Sequence, residues 1–345
     1  MSLVNRIGSF LYYARKLLTV SSFSAGNKAC LWHALVLMEV FMSYVTVIGA
    51  AIMDIIAKSN SRLINWDSNP GKAFQSCGGV GRNIAENLAR LSTNVKLVAA
   101  LGTDNTGKQL LEVCNEVGID TSLCQVISGG ASSIYIAILD NDGEMAHAIV
   151  DDSAKLNMLH IKEHAATINK SEIIVVDTNL AENEIAAILD MFPGKDIFAD
   201  AISVTKAVRL KKFIGRFHTI KMNKFEATAI TGMEIIDENS LKIAAEYLLL
   251  QGLKRIVISL GSEGVFYKTQ TEELRHKPTP IDPVNATGAG DALMAGIVYS
   301  SLKKKSAEET LKFSHAMAYE ALMSKSTVSP LISERRINDG IYGAK

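Results

Sequence analysis

From residue 43 onward the chain alternates short β-branched runs with amphipathic stretches, and few architectures accept that order. Val45–Ile48, Val95–Ala99, Ile173–Val176, Ile197–Ala199, Thr219–Lys221 and Ile256–Ser259 read as strands. Helical periods lie between them, at 82–93, 107–117, 182–191, 205–215, 223–231, 238–251, 291–303 and 306–323. Over 82–93, for example, Ile84, Leu88 and Leu91 fall on one face. Strands alternating with helices predict a mostly parallel sheet covered on both faces, an α/β fold of three layers. Two stretches break the pattern. Residues 124–150 carry two alternating apolar runs around Asn141-Asp142-Gly143, a hairpin signal, and residues 55–76 lack a helical period. Together they are expected to form a small sheet projecting as a lid. A second hairpin is expected near Val265–Tyr267 and Glu273–His276.

Composition narrows the function. The 345 residues are 48 % hydrophobic, enough for a sizeable core. Lys plus Arg equals Asp plus Glu at 36 each, which argues against nucleic-acid binding through a basic face. The four cysteines, Cys30, Cys77, Cys114 and Cys124, have no metal-binding or redox spacing and suit a cytoplasmic protein. Residues 29–42 are strongly apolar, but His33 and Glu39 interrupt them, and no membrane partner is expected. Residues 1–42 read as an extension of unknown role, or as translation from an upstream start with Met42 the natural one. The main domain is expected over 43–330, with a tail over 331–345.

Two glycine motifs are decoys. The stretch 102–109, GTDNTGKQ, matches a phosphate-binding GxxxxGK but ends in Gln109, where a magnesium-binding hydroxyl is needed. The plain reading is a turn at Gly102 and a helix from near Thr106. Strand one runs into GAAIMD rather than GxGxxG, which leaves little support for a dinucleotide site.

Residues 287–291, TGAGD, are more telling. Gly288, Ala289 and Gly290 precede a helix whose early apolar residues are Leu293, Met294, Ile297 and Val298. Amides at a helix start lack intrahelical partners, and three small residues let an anion reach them. A plain turn followed by a favourable first-turn acid accounts for Asp291, but not for the run of small residues. Asn223 and Glu226 in NKFE have the spacing of a capping box, and spacing alone favours that role over magnesium binding. SLGSEG, residues 259–264, places Ser259, Gly261 and Gly264 after a strand, either as a nucleotide-binding edge or as a simple turn. Asp54, with Gly78, Gly79 and Asn83 of GGVGRN, offers an acid, an amide and bare backbone that suit a polyol.

In this order, GGVGRNIAENLARL, NKFE, SLGSEG and NATGAGDALMAG resemble the successive motifs of the ribokinase-like (PfkB) family of carbohydrate and nucleoside kinases. The resemblance covers about residues 43–330, and GAGD before a small-residue helix is its most specific element. Within the family the chain is most similar to the pseudouridine kinases, through DSNPGK at 67–72, Arg82, VDTNL at 176–180, DAISVTKA at 200–207 and Asn285. It departs from the common pattern at Ile52, Met222 and VDDS 150–153.

The resemblance implies ATP-dependent phosphorylation of a 5′-hydroxyl, with Asp291 as base and Gly288, Ala289 and Gly290 as an anion hole. It reverses the reading of NKFE, giving Asn223 and Glu226 a water-mediated Mg²⁺ and Asn223 a place beside ATP. It implies sugar contacts from Asp54, Gly78, Gly79, Asn83 and Asn179, and ATP contacts from Ser259, Gly261, Gly264 and His315. Asn285 would help hold a monovalent cation such as K⁺. The expected partners are a small nucleoside or sugar and a second copy of the chain, joined lid to lid.

Overall fold

The computed structural model describes residues 43–277, 281–285 and 287–342, so the extension expected over 1–42 lies outside them. The larger sheet has eight strands. Strand β1 (Val45–Ile48) pairs in parallel with β4 (Val95–Val98) on one side and β9 (Ile173–Asp177) on the other. Beyond β9 follow β10 (Asp196–Asp200), β11 (Thr219–Asn223) and β12 (Arg255–Ser259), all parallel. The hairpin β13 (Val265–Thr269) and β14 (Glu273–His276) adds an antiparallel edge.

Period-two alternation divides each strand between two cores. Val45, Val47, Val175, Phe198 and Val257 face one core, filled by Ile84 and Leu88 of helix Val80–Arg90 and by the helices Ala289–Leu302 and Ala307–Leu322. Ile48, Val176, Ala199, Ile220, Met222 and Ile258 face the other, closed by the helices Glu182–Met191, Lys224–Thr231 and Glu238–Leu250. Helix, sheet and helix thus make three layers. The consequence for function is positional. Asp177, Asp200 and Lys221 follow the same alternation, are register partners across β9, β10 and β11, and share the face of helix Ala289–Leu302.

A second sheet has the order β3-β2-β7-β8. Its strands are β2 (Ile52–Ser59), β3 (Gly71–Gly78), β7 (Ile134–Leu139) and β8 (Met145–Asp151), so both ends of 55–76 and part of 124–150 fall on it. The turn between β7 and β8 is locked by Asp140, whose carboxylate accepts from the amides of Asp142 and Glu144, each at 2.9 Å. Exposed apolar side chains stud this sheet, among them Phe74, Met145, Ile149 and Val150. A short parallel pair, β5 (Ala100–Gly102) and β6 (Gln125–Ile127), lies apart from both sheets.

The structure departs from the sequence reading in two places. The helix expected over 205–215 is one short turn, Val204–Ala207, followed by a 3₁₀ segment, Val208–Arg216. Leu210 and Ile214 are still buried, and their spacing satisfies either helix type. Residues 331–345 include the helix Glu334–Tyr342, whose Ile337 packs into the first core. GGVGRN begins on the last residue of β3, Gly78. The phosphate-loop decoy is a capped helix start, as expected. Asp104 accepts from Gly107 N at 2.8 Å and from the Ser132 hydroxyl at 2.7 Å, and the helix begins at Asn105.

Candidate active site

The strand order reverses between β4 and β9 on either side of β1, and in open parallel sheets such a switch point is where a ligand crevice lies, at the carboxyl ends of the strands. Asp177, the last residue of β9, stitches that point together. Its Oδ2 accepts from the amides of Ala50 and Gly81, both at 2.9 Å, and its Oδ1 from Asn179 N at 2.9 Å. A Cβ on Gly49 would stand 2.3 Å from this carboxylate, so glycine is required there.

Helix Ala289–Leu302 points its first turn at the same crevice. Gly288 has φ +82°, and a Cβ there would lie 2.0 Å from the Thr327 carbonyl. A left-handed turn at that spacing admits only glycine, and it frees the amides that follow. Asp291 is buried, and its Oδ2 accepts from Asn83 Nδ2 at 2.7 Å. Burial raises its pKa to about 7. Asp200 and Asp177 push the same way, against Asn83 and Lys221. Lys221 Nζ reaches Asp200 Oδ2 at 3.1 Å and would lie 2.7 Å from a Cβ on Gly290. An ammonium therefore stands beside the glycine amides. Asp200 and the neighbouring Glu226 and Asp291 hold Lys221 charged despite its burial. Next to Asp200, Ile202 is a β-branched residue at φ +61°, a strained conformation of the kind that clusters at functional sites.

Asp54 lies on β2, in the smaller sheet, where burial raises its pKa to about 6 against the pull of Arg82. Its carboxylate sits over Gly78, where a Cβ would stand 2.0 Å from Oδ2. Gly79, at φ +94°, turns the chain into helix Val80–Arg90, which carries Asn83. Gly78→Ala leaves the backbone unstrained and evicts the carboxylate. On the resemblance to sugar and nucleoside kinases, we expect it to raise KM for the phosphoryl acceptor by about tenfold or more, with KM for ATP within about twofold, as initial rates would reveal. An unchanged acceptor KM would remove Asp54 from the site.

Asn223 and Glu226 form the capping box that their spacing suggests. Asn223 Oδ1 accepts from Glu226 N at 2.9 Å, and the Glu226 carboxylate accepts from Asn223 N at 2.7 Å and Asn223 Nδ2 at 2.8 Å. Both carboxylate oxygens are thus engaged, and no three His, Cys, Asp or Glu converge as metal ligands among the described residues. This donor set fits an ion held through water rather than gripped directly. Asn285 Oδ1 accepts from the amide and hydroxyl of Thr287, at 3.0 and 2.8 Å. Asn179 is engaged elsewhere, its Oδ1 taking a 2.5 Å bond from Lys206 Nζ. Ser259 pairs in register with Asn223, while Gly261 and Gly264 turn at φ +61° and +99°. His315 meets His276 edge to face, centroids 4.8 Å apart, in a cavity of about 860 Å³ also lined by Lys312 and Tyr319. Burial lowers the pKa of His315 to about 4, with His276 adding to the effect, so the ring is neutral at pH 7.

Sequence reasoning missed Asp177, Asp200 and Lys221 as site residues. A signal was present: each is a polar residue closing, or nearly closing, an apolar strand of a parallel sheet.

The model of the pfkB family carbohydrate kinases matches residues 42–334. The chain belongs to that family. It is therefore a phosphotransferase with an alcohol acceptor, a sugar or nucleoside kinase. The pseudouridine kinase of Escherichia coli is 34 % identical over 84 % of this chain and 94 % of its own length. A ribokinase of Haemophilus influenzae is 24 % identical over 83 % and 94 %. Among solved structures, a carbohydrate kinase from Agrobacterium tumefaciens superposes with a TM-score of 0.76 at 28 % identity, covering 87 % of this chain and 97 % of that one. An Arabidopsis thaliana ribokinase solved with ribose and ATP gives 0.78 at 18 % identity, covering 87 % and 99 %, a likeness of fold. The kinase thus has the ribokinase-like fold. No helix among its described residues is long and apolar enough to cross a membrane.

Proposed function

We propose that this kinase transfers the γ-phosphoryl group of ATP to the 5′-hydroxyl of pseudouridine, giving pseudouridine 5′-phosphate and ADP. The observation that carries the chemistry is the buried Asp291, held by Asn83 beside the glycine amides and Lys221. The likeness to the Escherichia coli pseudouridine kinase over nearly its whole length supports the choice of acceptor.

In this reading Asp291 accepts the proton of the attacking hydroxyl. Phosphoryl transfer has a loose transition state, so placing the hydroxyl matters more than strong basicity. The amides of Gly288, Ala289 and Gly290, with Lys221, stabilise charge on the transferring oxygens. Asp54, Gly79 and Asn83 hold the ribose hydroxyls. Ser259, Gly261 and Gly264 flank ATP, and the neutral His315 ring lies near its base. Asn223 and Glu226 would hold a Mg²⁺ through water, and its charge would offset that of the phosphates. The smaller sheet closes over the sugar and excludes water. The apolar side chains exposed on it support pairing with a second copy, which a monomeric mass by light scattering would refute.

The test is ADP release with pseudouridine, uridine, inosine, cytidine, ribose and fructose 6-phosphate. Pseudouridine is expected to have the highest kcat/KM. Equal turnover of free ribose would make the protein a ribokinase instead.

A further inference from the structure

Helix Val80–Arg90 carries three charged side chains that do not belong to the site as described. Arg82 is 2 % exposed and Glu86 6 %, depths at which an ion survives only if its hydrogen bonds are met. Arg82 Nη1 donates to Glu86 Oε2 at 2.5 Å, and Arg90 Nε donates to Glu86 Oε1 at 2.8 Å. Arg82 Nη2 donates to Asn83 Oδ1 at 2.6 Å, while Arg82 Nε is buried without a partner. Asn83 passes the chain on, since its Nδ2 donates to Asp291 Oδ2 at 2.7 Å. A continuous relay therefore runs from the surface to the proposed base.

The direction of each bond in this relay is forced. A guanidinium only donates, so the end of the Asn83 amide that faces it is the oxygen. The NH₂ end is then turned to Asp291. An ionised Asp291 accepts that bond at full strength; a proton on Oδ2 would set a donor against a donor, so the neutral acid is confined to a proton on Oδ1 and accepts more weakly. Without Arg82 the amide is free to rotate by half a turn and to accept a proton from Asp291 instead.

We propose that Arg82, anchored by Glu86, is a positioning residue that locks the amide of Asn83 and so favours the ionised form of Asp291. The role rests on the reading of Asp291 as the base. It answers a conflict within the site, because burial, Asp200 on β10 and Asp177 on β9 all favour the neutral acid. The hydrogen bond from Asn83 opposes them, and Lys221 on β11 adds to it. From the other flank, Glu320 of helix Ala307–Leu322 is occupied by Ser329 and Arg336.

The experiment is a pH titration of the protein labelled with ¹³C at aspartate carboxyls, run beside a kcat profile. Asp291→Asn and Asp54→Asn assign the two relevant signals. In Arg82→Met, Glu86 keeps Arg90 as partner, and the midpoint of Asp291 is expected to rise by about one pH unit. The acidic limb of kcat should move with it, while KM for ATP stays within about twofold. Arg82→Lys, which still only donates, should restore most of the wild-type midpoint. An unmoved Asp291 midpoint in Arg82→Met overturns the proposal. If that variant melts below assay temperature, Arg82→Gln takes its place, because its amide also permits the rotation. Should the wild-type protein phosphorylate no nucleoside or sugar, the proposed function fails, but the carboxyl titration still decides the relay.

Discussion

Asp291→Asn is expected to bind ATP with nearly wild-type affinity and to turn over about 10²–10⁴-fold more slowly, the usual worth of a positioned base. Isothermal titration and ADP release measure the two quantities. Full activity in the variant would remove Asp291 as the base. In the wild-type protein, kcat/KM should fall on the acid side with a midpoint near pH 7, where burial has moved the carboxyl. The same burial makes a second prediction, about stability. The folded pKa of about 7 stands above the ordinary 3.8. Between those values the native state holds a proton that the unfolded chain releases. The stability linked to this group is therefore full below about pH 4 and is lost as pH rises through about 7. Asparagine never has to ionise. The variant should melt about 3 °C or more above wild type at pH 8, with the gap closing near pH 5. Activity and stability would then trade against each other at a single side chain.

Lys221→Met is expected to be the most damaging single change outside the glycines. It strands Asp200, 1 % exposed, without its 3.1 Å ion-pair partner. Breaking a buried pair from one side costs about 3–5 kcal/mol. At about 2 °C per kcal/mol the melting temperature should fall by about 6–10 °C. The double variant Lys221→Met/Asp200→Asn should recover most of that loss, because no charge is left unpaired. It should not recover turnover, because the ammonium beside Gly290 is still missing. A single variant as stable as wild type would show that water reaches Asp200 and that the pair is not structural.

Much of this kinase was legible in its sequence because the relevant signals are local. The strands from Val45–Ile48 to Arg255–Ser259 announce themselves by β-branched runs. The hairpin between β7 and β8 was legible in Asn141-Asp142-Gly143. The capping box of Asn223 and Glu226 was readable from spacing, since both partners belong to one helical turn. Gly288 through Asp291 could be placed at a helix start from the small residues and the apolar run after them. The boundaries at 205–215 were less legible, because α and 3₁₀ turns bury the same residues at nearly the same spacing.

Tertiary structure decided what lies between elements far apart in the chain. Asn83 and Asp291 are separated by 208 positions, and only the packing of their two helices brings amide to carboxylate. Asp177, Asp200 and Lys221 become a row because three strands pair in register and alternate their side chains in step. Nothing near Lys221 in the sequence marks it as the ammonium beside Gly290, nor marks Arg82 as the clamp on Asn83. The sequence by itself determined the order of the elements, the helix start at Gly288 through Asp291 and the family, since each depends on neighbours along the chain. The ionisation of Asp291 was decided by the fold alone, because burial and the charges of Asp200, Asp177 and Lys221 exist only once the sheet has assembled.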